Sequence, residues 1–129
     1  MAPEIIIKYI PGPVSMFKKR WEVMKDIKLK ISTGEEITIK AGFKTDLSSV
    51  PRFLWPLFPP YGDFLPAAIV HDWMYINDFK RAELGAKKAR KFADYQMLFL
   101  SRKYNPKNPI DNYIRFIAVR LFGGLIYTK

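Results

Sequence analysis

The chain has 129 residues, no cysteine, one histidine and a formal charge of 22 − 12 = +10. The length suits one domain, since domains usually run ~100–150 residues, and 49% hydrophobic with 16% aromatic residues supplies a core and argues against disorder. These counts exclude a disulfide scaffold, thiol catalysis, cysteine-ligated zinc or iron–sulfur, and any site that needs two histidines.

The first half reads as strands, over 4–45. Glu4–Ile10 is a short apolar run closed by Pro11-Gly12-Pro13. Ile27, Leu29 and Ile31 alternate with Lys28 and Lys30, and Ile37 and Ile39 alternate with Thr38 and Lys40. Period-two alternation on both sides of Ser32-Thr33-Gly34-Glu35 predicts an antiparallel β-hairpin with one buried face. Residues 46–65 form a proline-rich connector that also holds Phe53, Leu54, Trp55, Leu57 and Phe58. Proline fixes φ and removes an amide donor, so the connector is stiff and irregular, and its apolar side chains must pack on the body.

The second half reads as three helices, over 66–123. Pro66 suits a first helical turn, and PAAIVHDWMYIN follows without a breaker. The second helix spans 86–104 and ends at Asn105-Pro106. The third starts near Pro109 and stops at Gly123-Gly124. Its stripe of Ile110, Tyr113, Ile114, Ile117, Ala118 and Leu121, which could serve a core or a membrane surface, is expected to face the core. Strands followed by helices give an α+β fold. No apolar run reaches the ~18 residues of a membrane span, and MAPEIIIKYIPGP has no basic n-region of a secretion signal.

His71 and Tyr75 stand four apart and share a helix face. Asp72 lies ~100° round the same helix, free to face a neighbouring cavity. Asp94, flanked by Phe92, Ala93 and Met97 on the next long helix, needs a partner, because a buried unpaired charge is costly. An antiparallel packing of the two helices would bring it to His71 and Tyr75. A carboxylate on one imidazole nitrogen fixes the tautomer and leaves the other nitrogen to take a proton from water. The plainer reading is a buried Asp–His–Tyr cluster that staples two helices. Asp72 and Asp46 are the candidate ligands for a hard cation. Asp46 also has a simple structural reading as an Asx-type turn within GFKTDLSSVPR. Ser48 and Ser49 lack the Gly-x-Ser-x-Gly elbow of a serine nucleophile.

Residues 1–64 carry 10 bases and 7 acids, and residues 65–129 carry 12 and 5. Six of the later bases, Lys80, Arg81, Lys87, Lys88, Arg90 and Lys91, form a candidate patch for an anionic surface, whether lipid headgroups or nucleic acid. The plain alternative is a solvated loop and helix start. No helix-turn-helix or aromatic stacking platform points to specific nucleic-acid binding.

GFKTDLSSVPR, AAIVHDWMY, the FAD at 92–94 and AVRLFGG at 118–124 resemble, in that order, a phage and prophage family catalogued as domain of unknown function 1353. The resemblance spans about residues 35–124. It implies a bacteriophage or prophage origin, other phage proteins as partners, and a place in the virion or the host cytoplasm. His-Asp-x-x-Tyr on one helix with Ala-Asp on the next is also similar to the phospholipase A2 pattern, above all in its cysteine-free viral capsid members. That similarity implies His71 as the base that activates water, Asp72 as a calcium ligand, and Tyr75 and Asp94 as the groups that hold the imidazole. The glycine-rich calcium loop of those enzymes has no counterpart here, where Gly62-Asp63 stands in a proline-rich stretch and Asp46 is the nearest substitute. Two functions follow as expectations. One is a structural or interaction component of a phage particle or its assembly. The other is a small metal-assisted hydrolase acting on lipid or cell envelope.

Overall fold

A computed structural model describes residues 4–9, 21–45 and 62–122. Among these described residues five short strands precede four helices, which bears out the α+β reading. Strands β1 (Ile7–Tyr9), β2 (Trp21–Val23) and β5 (Lys44–Thr45) form an antiparallel sheet with β2 in the middle. Strands β3 (Ile27–Lys30) and β4 (Glu36–Ile39) form the expected hairpin.

In the hairpin, Ile27 pairs with Ile39 and Leu29 with Ile37, and all four are buried while Lys28 and Lys30 are exposed. Alternation thus translates directly into one apolar face. The turn closes with the Gly34 amide on the Ile31 carbonyl at 2.9 Å, and Gly34 adopts φ +88°, which a side chain would resist. Buried Gln96 holds this turn from the helical layer. Its Oε1 accepts the Ser32 amide at 2.9 Å and its Nε2 donates to Ser32 Oγ at 2.6 Å.

A 3-10 turn at Gly62–Phe64 leads into α1 (Leu65–Ile76), with Pro66 in the first turn as its fixed φ favours. Helix α1 is buried on nearly every side, from Pro66 to Val70 and again at His71, Asp72, Met74 and Tyr75. Between the first and second expected helices stands a further short one, α2 (Arg81–Leu84). It is bracketed by two residues of positive φ, Lys80 in the left-handed helical region at φ +61° and Gly85 at φ +83°. Helix α3 (Ala86–Tyr104) and helix α4 (Pro109–Phe122) follow with the expected limits. Three asparagines join their ends. Asn105 Nδ2 donates to Asn112 Oδ1 at 2.9 Å, Asn112 Nδ2 donates to the Asn105 carbonyl at 2.8 Å, and Asn108 Nδ2 donates to Asn105 Oδ1 at 2.9 Å.

The core is the contact between hairpin and helices. Ile27 and Ile39 share it with Phe64, Ile69, Met74, Met97 and Leu100. Both α1 and α4 pack on α3. None of these helices is long and apolar enough to cross a membrane.

One expectation fails in α4. Of its predicted core stripe only Ala118 is buried, and Ile110, Tyr113, Ile114, Ile117 and Leu121 face outward. Asn112, Arg115 and Val119 occupy the inner side instead. The reason is polar: Asn112 closes the asparagine network, and the Arg115 guanidinium lies over the Phe64 ring at 4.2 Å.

Candidate functional site

Helix α1 carries His71 and Tyr75 one turn apart, with ring centroids 4.2 Å from each other. Helix α3 brings Asp94 to both. Its Oδ1 accepts from His71 Nε2 at 2.7 Å and from the Tyr75 hydroxyl in a short hydrogen bond. His71 and Asp94 are each 0% exposed and Tyr75 is also buried. The meeting of His71, Tyr75 and Asp94 expected from the sequence is therefore present.

The second oxygen of Asp94 is also engaged. Arg120 on α4 donates from Nη1 to Oδ2 at 2.8 Å. Arg90, one turn before Asp94 on α3, places its Nη1 4.0 Å from the same oxygen. Its Nη2 donates to the Arg120 carbonyl at 2.7 Å. One carboxylate thus gathers a phenol and an imidazole from α1 and guanidinium groups from α3 and α4. Charge-assisted bonds of this kind are roughly twice as strong as neutral ones, and the low local dielectric strengthens them further. Burial raises the Tyr75 pKa well above that of a free phenol, and the charge and hydrogen bond of Asp94 push the same way. Tyr75 therefore stays a donor at ordinary pH.

The two imidazole nitrogens differ. Nε2, facing a carboxylate, carries the hydrogen of the short contact to Asp94. Nδ1 is buried and has no hydrogen-bond partner among the described residues.

Asp72 follows His71 and is buried on another side of α1. Asp46 and the serines after it lie outside the described residues, as does the proline-rich connector up to Tyr61. Among the described residues no three histidines or carboxylates come together to hold a metal ion. The donor set in view does not fit a calcium shell.

The six bases proposed as an anion-binding patch divide. Arg90 is only 15% exposed at its side chain and belongs to the Asp94 node. Lys80 is bound to Glu35 at 3.0 Å and lies over the Phe79 and Phe92 rings at 5.6 Å each. That carboxylate raises the Lys80 pKa, and Lys80 in turn lowers that of Glu35. Arg81 pairs with Asp78 at 3.3 Å. Lys87, Lys88 and Lys91 are exposed. Aromatic rings and acids thus engage Lys80, Arg81 and Arg90, and the exposed bases of the six are Lys87, Lys88 and Lys91.

Arg120 and Arg90 are the residues that the sequence reasoning missed at the node. A signal existed for Arg120, which stands inside the AVRLFGG run as a lone charge among apolar residues, where a buried acid is its natural partner.

The molecule is thus an α+β domain in which a buried Asp–His–Tyr–Arg node joins three helices. Residues 21–118 match the family described as "Protein of unknown function (DUF1353)", and the chain belongs to that family. No curated protein and no solved structure matches the chain.

Proposed function

We propose that the chain is a bacteriophage or prophage protein, a structural or interaction component of the particle or of its assembly, with the Asp94 node as the fastener of its helical core. The phage assignment is supported by the ordered motifs GFKTDLSSVPR, AAIVHDWMY, FAD and AVRLFGG. The structural role is supported by one observation above all: both oxygens of a fully buried Asp94 are occupied by donors from α1 and α4. Such a carboxylate holds three helices in register and presents no open side to a substrate. The direct test is mass spectrometry of purified particles and assembly intermediates from a phage or induced prophage that encodes the chain. A fixed copy number in either supports the proposal, and absence from both overturns it.

A second reading, a small hydrolase, draws on the unpartnered His71 Nδ1. With Nε2 held by Asp94, Nδ1 is the atom that would take a proton from water. The water oxygen would then attack an acyl carbon and the proton would pass to the departing oxygen. Turnover of carboxylic esters and phospholipids by the wild-type chain and by His71→Gln separates the two readings. The structural role expects no turnover in either and a lower melting temperature in the variant. His71-dependent turnover would put the hydrolase first.

A further inference from the structure

The geometry points to the outer face of the α3–α4 hairpin as a docking surface for an anionic lipid bilayer. This is independent of the reading of the Asp94 node. Helix α4 is amphipathic in the wrong sense for a helix at a protein surface. Ile110, Tyr113, Ile114, Ile117 and Leu121 fall within one side of the helix at spacings of three and four. All five are exposed, with Ile110 at 73% and Leu121 at 69%. Two polar side chains of the same helix, Asn112 and Arg115, point inward. Scattered apolar residues on a surface need no explanation, but a continuous ridge along a whole helix does.

The charge around the ridge selects the occupant. Because α3 and α4 form a tight antiparallel hairpin, Arg90 of the first turns of α3 meets Arg120 at the end of α4. The exposed Lys87, Lys88 and Lys91 therefore stand at the Leu121 end of the ridge. Arg102, Lys103 and Lys107, also exposed, stand at the Ile110 end. One exposed acid of α4, Asp111 in its first turn, stands at the Ile110 end among these bases. An apolar ridge with bases at both ends matches an interfacial surface: the ridge enters the boundary between headgroups and acyl chains, and the lysine stems lie along it with their ammonium groups among anionic headgroups. A second copy of the chain is a poor occupant. A twofold interface sets each patch against itself, and here that would oppose like charges at both ends. The lysines reinforce one another toward a negatively charged bilayer.

The test is co-sedimentation of the full chain with vesicles of phosphatidylcholine, alone or doped with phosphatidylglycerol. It is run beside the double variant Ile114→Glu/Ile117→Glu, with light scattering for oligomeric state. Both substituted residues are exposed, so the melting temperature is expected to hold and to report on folding. The wild type is expected on the doped vesicles and not on phosphatidylcholine alone. The variant is expected to lose at least about tenfold in partitioning, since two apolar side chains that enter the bilayer are replaced by charges. Equal partitioning of wild type and variant would overturn the inference, because charge alone would then be holding the chain. Failure of the wild type to bind the doped vesicles would overturn it too, and a dimer that the variant abolishes would give the ridge to a second copy.

Discussion

Helices α1 and α4 both pack on α3, and they treat their side chains in opposite ways. Helix α1 buries nearly everything it has, including His71, Asp72 and Tyr75. Helix α4 turns Asn112 and Arg115 inward and sends Ile110, Tyr113, Ile114, Ile117 and Leu121 outward. Hydrophobicity alone would orient α4 the other way. What orients it is the set of polar partners already waiting in the core: Asp94 for Arg120, Asn105 for Asn112 and the Phe64 ring for Arg115. Burying a polar group with its partners in place is tolerable, whereas leaving Asp94 without a cation is not. The contrast teaches that helical periodicity identifies a face without saying which way it points.

The sharpest way to break this arrangement is to remove the acid at its centre. Asp94→Ala leaves His71, Tyr75 and Arg120 without their common acceptor, and loss of one member of a buried charged network costs about 3–5 kcal/mol. Denaturant unfolding should show that loss, with α4 the first helix to lose amide-exchange protection. A loss below about 1 kcal/mol would mean that packing, not the node, sets the orientation of α4.

A smaller effect is expected from Tyr75→Phe, and it carries a pH signature. The folded-state pKa of Tyr75 is raised above the ordinary 10.0, first by burial and then by Asp94. The unfolded chain therefore ionises first as the solution becomes alkaline. The contribution of Tyr75 is whole below pH 10.0 and is lost as the pH rises beyond it. At neutral pH the variant should lose about 2 kcal/mol, the order of a hydrogen bond to a charged group. Its stability should also fall less steeply than wild type above pH 10.0. Parallel alkaline slopes for the two proteins would show that the phenol ionises alike in both states.

The parts of the molecule that were legible in the sequence are those set by local rules. The β3–β4 hairpin follows from alternation around Gly34, and the limits of α3 and α4 follow from Asn105-Pro106 and Pro109. The meeting of His71, Tyr75 and Asp94 was legible as well, because an acid on an apolar helix face demands a partner and the chain has one histidine. Arg120, Arg90 and the inverted face of α4 were not, since they depend on how α4 is rotated against α3. That rotation is fixed by pairings between residues 26 and 30 positions apart, such as Asp94 with Arg120 and Arg90 with the Arg120 carbonyl. Short α2 escaped because a single helical turn has no periodicity to read.

The smallest predicted effect is the most direct check on the direction of α4. Leu121 is a larger side chain than Val119, and a reading from composition would rank Leu121→Ala as the costlier change. Val119 is buried at 1% exposure against α3, whereas Leu121 is 69% exposed. Removing the two methyl groups of Val119 should cost about 1.5 kcal/mol through lost transfer and packing. Removing most of Leu121 should stay within about 0.5 kcal/mol, as surface substitutions do. Thermal unfolding of the two variants side by side gives the order. The reverse order, with Leu121→Ala the less stable, would mean that the ridge is covered in the folded chain, and would withdraw from any outside partner the surface that α4 offers here.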